Sequence, residues 1–372
     1  MIKVARACVS KDELDEVEEA LNYGYFGLAY KVNELESQIA SFLNTDRLVV
    51  CCANGTSAIH LALESAGIGP GDEVIVPAFT FIATAQAVLM AGAKVVLCDV
   101  NKDDFLIDLA DVERKITNKT KAIIPVHYAG NVCDMDGLLS IANKYGIRII
   151  EDAAHAFGSI YKGRLVGSFG DLTCFSFDSI KVMTCGEGGA LVTNDDDIAE
   201  IAKQKRLLGI DRKTMHVKDW KKRSWMYNVK TNGYRYHMSN INAAIGLAQI
   251  KKVDRFIKRR RQICDLYLKN LNGVRFISFE KADWNKASPF MFPVLVSGGK
   301  RDGLRDYLKE YDIETGISYI PLYKFDIFNV SSDLFPQTES IFNEIVCLPL
   351  HPNLSDEEVV FVCEKIKEYL NE

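Results

Sequence analysis

Between residue 48 and about residue 195 the chain repeats one pattern, a short run of β-branched and other apolar residues followed by a stretch of helical spacing. The runs are LVVCC (48–52), VIVPAF (74–79), KVVLCDV (94–100), AIIPVH (122–127), IRIIED (147–152), LTCFSF (172–177) and ALVTN (190–194). Stretches such as Ser57 to Ala66 and Met135 to Tyr145 separate most of the earlier runs. Near-continuous apolar strands are those covered on both faces, and their alternation with helices predicts a mostly parallel seven-stranded sheet, an α/β fold. The last two runs are only about a dozen residues apart, which allows one of them to run antiparallel.

The chain has 372 residues, more than one ordinary domain holds. Beyond about residue 245 the strand–helix rhythm weakens. A charged helix is expected over roughly 246–271, then a strand in FMFPVLV (290–296), a helix near 300–310, and a last helix opened by the capping box Ser355-Asp356-Glu357-Glu358. We therefore expect a large sheet domain over 1–245 and a smaller C-terminal α/β domain over 246–372, with no repeat or low-complexity linker to separate them. The N-terminal helix opens on a second capping box, Ser10-Lys11-Asp12-Glu13, and is free to pack on the smaller domain. It carries Leu14, Val17 and Leu21 on one face and stops at Gly24.

Charge and composition narrow the partners. With 45 basic and 50 acidic residues the net charge is −5, so no broad basic field attracts nucleic acid. The richest basic run, from Lys251-Lys252 to Lys258-Arg259-Arg260-Arg261, alternates with Val253, Phe256 and Ile257 and reads as the solvated face of a helix. The opening MIKVARACVS is too short and too polar for a signal peptide, and no 18-residue apolar run predicts a membrane span. Ten cysteines are scattered through apolar stretches with no CxxC pair, which argues for free buried thiols and against a zinc site. A reducing, cytoplasmic location is expected.

Ligands of open α/β sheets gather at the carboxyl ends of the strands. After the first strand comes Ala53-Asn54-Gly55-Thr56-Ser57, small residues and hydroxyls opening a helix, which is a phosphate seat or merely a capped turn. After the second comes Phe79-Thr80-Phe81, rings for a flat ligand or for the core. The fifth ends on Glu151-Asp152-Ala153-Ala154-His155, and a carboxylate there is costly to bury unless it meets a cation. The sixth leads through Ser176-Phe177-Asp178-Ser179-Ile180-Lys181 to Gly186-Glu187-Gly188-Gly189. Desolvation between two strands would lower the pKa of Lys181 and free its amine as a nucleophile. Each part alone is weak. Together, a phosphate seat, a stacking ring, an acid for a ring nitrogen and an amine for a carbonyl describe pyridoxal phosphate.

These residues resemble the DegT/DnrJ/EryC1/StrS family of sugar aminotransferases, within the fold type I pyridoxal-phosphate enzymes. The likeness runs nearly end to end through NGTSAIHLAL, GPGDEVIVPAFTFIATAQAV, GAKVVLCDV, PVHYAG, EDAAHAFGS, FSFDSIKVMTCGEGGALVT, INAAIGLAQI and LPLHPNLS. It implies Lys181 as the Schiff-base lysine and proton shuttle, and Asp152 as the partner of the pyridinium nitrogen. His155 would contact the ring's phenolic oxygen, where many relatives have glutamine. Gly55, Thr56, Ser57 and Ser176 would hold the phosphate, and Phe81 would stack on the ring. Arg235, in Gly233-Tyr234-Arg235-Tyr236-His237-Met238, replaces a family asparagine that reaches the neighbouring subunit's phosphate, which implies a homodimer with shared sites. Tyr319, in Ser318-Tyr319-Ile320-Pro321, lacks the histidine that often precedes it and is a candidate for substrate binding. The implied reaction moves an amino group from L-glutamate, released as 2-oxoglutarate, to a nucleotide-linked 4-keto-6-deoxyhexose such as dTDP-4-keto-6-deoxyglucose, for surface polysaccharide. Relatives acting at the 3-keto position tend to read K-N-L-G-A after the lysine, whereas this chain reads Lys181-Val182-Met183-Thr184-Cys185. A 3-keto enzyme and a non-catalytic sensor that kept the fold are the alternatives.

Overall fold

A computed structural model describes residues 1–211 and 227–371. Seven strands form its central sheet: β1 (Leu48–Cys52), β2 (Glu73–Pro77), β3 (Lys94–Cys98), β4 (Thr120–Ile123), β5 (Arg148–Asp152), β6 (Leu172–Ser176) and β7 (Gly189–Thr193). All seven apolar runs of the sequence lie here. The spatial order is β1-β7-β6-β5-β4-β2-β3. Only β7 runs against its neighbours, pairing antiparallel with both β1 and β6. β2 to β6 pair in parallel. Cys52 and Ser176 both face Gly189, so the ends of β1 and β6 and the start of β7 share one rim of the sheet. Asp152 ends β5 on the same rim.

Helices cover both faces, and two apolar cores lie against the sheet, one on each side of it, as fully apolar strands require. A second, three-stranded antiparallel sheet holds β8 (Ile277–Phe279), β9 (Phe292–Val296) and β10 (Ile345–Leu348). Helix Val253–Leu271 packs against helix Asp356–Leu370, which also packs against Arg301–Glu310. The Ser355 capping box is formed, with the serine oxygen accepting from the Glu358 N–H.

The chain's first residues join this smaller sheet region. The N–H of Ile2 donates to Asp312, that of Glu314 donates to Ile2, and that of Leu350 donates to Val4. Helix Lys11–Tyr23 has its Ser10 capping box, stops at Gly24 in the left-handed region (φ 78°), and packs on helix Asn240–Ile250.

Three expectations need correction. The stripe of Leu14 and Leu21 is not buried within the chain: these residues are 70% and 46% exposed, and Glu13 and Ala20 face inward instead. Glu13 does so because it meets Lys252 and the Gln249 amide. The expected helix over 246–271 is two helices, Asn240–Ile250 and Val253–Leu271, that change direction at Lys251-Lys252. Lys252 is drawn aside there to pair with Asp12 and Glu13. Within the basic run, Arg260 is not solvated at all; it is among the largest fully buried side chains.

Candidate active site

A cavity of about 370 Å³ opens on the shared rim. Its walls include Gly55, Thr56, Phe81, Asp152, His155, Ser176, Lys181 and Tyr319, together with Asn54, Thr84, Asp178 and Glu187. Most of the residues expected from sequence therefore meet in one place. They come from five separate strand ends and loops.

Asn54 caps the helix Gly55–Ser65, its side chain accepting from the Ser57 N–H. The Ser57 hydroxyl completes that box by donating to the Asn54 carbonyl and accepting its N–H (2.7 and 3.0 Å). Ser57 is thus engaged in the cap and buried, and it is not on the cavity wall. Gly55 and Ser176 form a close cradle: a Cβ added at Gly55 would lie 2.8 Å from that of Ser176. The helix N-terminus, with Thr56 beside it, leaves N–H groups free for an anion.

Asp152 is buried and accepts from the Thr84 hydroxyl (2.7 Å) and the Ala154 N–H (3.2 Å). Among the described residues no cation pairs with it directly. Burial pushes its carboxyl above the usual range, opposed by those two bonds and by the nearby charge of Lys181. A carboxylate so placed calls for a cation brought by a ligand. Glu151, next in the strand, points to the other face. There it meets the His127 ring (3.0 Å), the Thr173 hydroxyl (2.7 Å) and the Gly170 N–H (2.8 Å). Because the Cys133 N–H donates to Nδ1 of His127, that ring carries its proton on Nε2 and gives it to Glu151.

Lys181 follows β6 in a loop pinned at both ends. Phe177 donates to Gly188 (2.8 Å), Cys185 to Phe177 (2.9 Å), and the Asn242 amide to the Cys185 carbonyl (2.7 Å). Its Nζ lies 4.0 Å from the centroid of the Phe290 ring. Burial lowers its pKa to about 8 against the pull of Asp152 and Asp178, so a usable share of free amine exists near neutral pH. His155 stacks on Phe290 (centroids 4.4 Å apart) and its Nε2 lies 3.0 Å from the Tyr319 hydroxyl. Its buried Nδ1 has no protein partner. Burial and then the charge of Lys181 keep the ring's pKa well below the ordinary histidine value.

Phe81 is 52% exposed at the cavity wall, its ring 5.5 Å from that of Tyr319, whereas Phe79 is core. Arg235 lies outside the cavity, exposed, with its backbone bridged to Leu207. Sequence reasoning missed Thr84, Phe290 and Glu187. Thr84 was within reach, since it lies inside the FTFIAT motif on the helix facing β5; Phe290 comes from a distant segment that no local pattern ties to Lys181.

An unattached buried carboxylate, a buried lysine amine of lowered pKa, an orphaned imidazole nitrogen and a glycine cradle at a helix N-terminus fit pyridoxal phosphate and define a lysine-dependent enzyme of that cofactor. The chain matches the DegT/DnrJ/EryC1/StrS aminotransferase family over residues 7–367 and belongs to it. It is a pyridoxal-phosphate-dependent aminotransferase of the fold type I class. Among its relatives, the GDP-perosamine synthase of Escherichia coli O157:H7 is 38% identical over 86% of this chain and 85% of that protein. The spore coat polysaccharide biosynthesis protein SpsC of Bacillus subtilis is 34% identical over 97% and 95%. Spr1654 of Streptococcus pneumoniae, assigned as a sugar aminotransferase and solved in its PMP form, superposes with a TM-score of 0.95 at 30% identity, covering 100% of this chain and 99% of its own. No helix among the described residues is long and apolar enough to cross a membrane.

Proposed function

We propose that the enzyme transfers an amino group from L-glutamate to a nucleotide-linked 4-keto-6-deoxyhexose, giving a 4-amino-4,6-dideoxy sugar nucleotide for surface polysaccharide. The observation that carries the reading is the convergence of the Lys181 amine, the Asp152 carboxylate and the Gly55 helix N-terminus on one cavity. Residues 1–245 form the cofactor-binding unit on this reading and 246–372 the smaller one. The cofactor, when bound, supplies an electron sink for the carbon that loses or gains the amino group.

The chain's own groups do the rest. Asp152 keeps the ring nitrogen charged, and the Thr84 hydroxyl fixes which carboxylate oxygen faces it. Lys181 would hold the cofactor, and its amine would move the proton at the reacting carbon as a general base and acid. His155, held neutral, offers Nδ1 to the ring's phenolic oxygen while Tyr319 fixes Nε2. Gly55, Thr56 and Ser176 seat the phosphate, with Arg235 reaching the site of a second subunit in a homodimer. Phe81 stacks on the ring, and Tyr319 extends toward the sugar.

The relatives named GDP-perosamine synthase, from Escherichia coli and Vibrio cholerae, support a nucleotide-sugar acceptor and put GDP beside dTDP as the carrier. The absence of a K-N-L-G-A sequence after Lys181 supports the 4-position over the 3-position. The test incubates the protein with cofactor, L-glutamate and dTDP- and GDP-linked 4-keto and 3-keto sugars, then reads product masses and 2-oxoglutarate. Amination of a 4-keto sugar is expected. Amination of 3-keto sugars alone, or of none, overturns the proposal.

A further inference from the structure

Arg260 lies in the middle of helix Val253–Leu271 with 1% of its surface exposed. Burial is the main influence on its pKa, lowering it to about 10; Cys264, Cys8 and His351 are titratable groups around it, and among the described residues no carboxylate pairs with it. A buried guanidinium without a counter-anion is costly, and an apolar side chain would fill the same space without that cost. What Arg260 does hold is backbone. One nitrogen, Nη1, donates to three carbonyls, those of Leu350 (3.0 Å), Phe290 (3.1 Å) and Pro289 (3.3 Å). These residues sit just before β9 and just after β10, where two strand ends of the small sheet converge.

Phe290 continues from that clamp into the active site. Its N–H donates to the Ala129 carbonyl of the large sheet's loops (3.0 Å), and its ring, 7% exposed, touches both the Lys181 amine and the His155 imidazole. A single ring thus buttresses the amine and one of the groups expected at the cofactor, and its backbone is fastened from the other unit of the chain.

We infer that Arg260 is a positioning residue for the reactive lysine: its buried guanidinium, by gathering the carbonyls of Pro289, Phe290 and Leu350, fixes the Phe290 ring against Lys181 and His155. The inference rests on the role proposed above for Lys181. The ring excludes water from the amine and also attracts its charged form. Burial is the largest influence on the amine's pKa and holds it below that of an exposed lysine, and the ring is part of what buries it. Loosening or removing the ring therefore raises that pKa. Asp152, Asp178, Glu187, His155 and Tyr319 line the same cavity as the amine, and all of them remain in the variants.

The test is reductive methylation of the cofactor-free full chain across pH 6–11, with the labelling rate at Lys181 read by peptide mass. Parent, Arg260→Met, Arg260→Lys and Phe290→Ala are compared, each with a melting curve. The labelling midpoint is expected to rise by about half a unit or more in Phe290→Ala and Arg260→Met, within the range that burial shifts span. Arg260→Lys, which keeps a donor, should recover part of the way. A folded Arg260→Met protein with a lower melting temperature but the parent's midpoint makes Arg260 merely structural and overturns the inference. A shift in Phe290→Ala but in neither Arg260 variant overturns it as well. If Arg260→Met does not fold, Arg260→Lys decides on the same midpoint. Borohydride trapping of bound cofactor on a lysine other than Lys181 would instead defeat the functional reading on which it rests, so the two failures are distinguishable.

Discussion

Asp152 and Lys181 show how much chemistry a single position carries once its surroundings are fixed. The carboxyl of Asp152 is buried, bonded to Thr84 and without a cationic partner among the described residues. On the proposed reading its charge pairs with the cation the cofactor presents. Asp152→Asn keeps the shape and removes that charge. A charge-assisted bond is worth ~1.5–3 kcal/mol, so turnover with glutamate should fall about ten- to a hundredfold, and further to the extent that the electron sink fails. Stopped-flow half-reactions with glutamate measure this, and near-parental rates would place the role on another group. Lys181→Ala removes the only amine that lines the described cavity. It should bind cofactor reversibly, yield no borohydride-fixed peptide and transaminate at background; label appearing at Lys162 in the parent would contradict the assignment. Both residues were legible in sequence because each follows an apolar strand in a run too ordered to be chance. The clamp on Phe290 was not legible, since Arg260 and Phe290 are far from Lys181 in sequence and a basic helix face looks the same whether wet or dry.

At the level of elements, all seven strands of the large sheet were readable from their apolar runs, and the short β6–β7 spacing left room for the antiparallel strand found there. The break at Lys251-Lys252 was hidden, because lysines are good helix formers and no glycine or proline marks the turn. Only the carboxylates of the first helix, Asp12 and Glu13, explain it. One close contact between elements joins the start of β7 to the cap of the helix Gly55–Ser65. A Cβ on Gly189 would come within 2.3 Å of the Asn54 carbonyl oxygen, and backbone cannot swing aside as a side chain does. Gly189→Ala should therefore destabilise the protein by about 1–3 kcal/mol, as overpacking does. It should also weaken cofactor binding, because the displaced cap is the proposed phosphate seat. Denaturant melts and cofactor titration read the two effects, and an Ala variant with parental values in both would show that the elements separate freely.

For the whole molecule, Leu14, Leu21, Tyr25, Phe26 and Ile180 are among the exposed apolar side chains. The family resemblance implies a homodimer with shared sites, and exposed Arg235 is the residue proposed to cross into the partner's phosphate site. Arg235→Ala should then release cofactor on dialysis about tenfold more readily, the loss of one charge-assisted bond, while Lys181 still takes the cofactor up. Light scattering should report a dimer for parent and variant alike. A monomer with full activity, or undiminished retention in the variant, would reject this arrangement.

The reversed direction of β7 has a mechanical consequence. Ser176 and Gly189 are paired residues, so the twelve residues from Phe177 to Gly188 leave and re-enter the sheet at adjacent points of the same ladder. Lys181 rides on a closed strap whose two anchors cannot separate without unzipping β6 from β7. The opposite bank, where Phe81 and Tyr319 stand, is held differently, by hydrogen bonds from the Leu322 N–H to Ala78 and from the Tyr128 hydroxyl to Ser318. Lengthening the strap by even one residue would move the amine out of step with Asp152 while leaving the sheet intact, which makes this loop the part of the fold least tolerant of insertion.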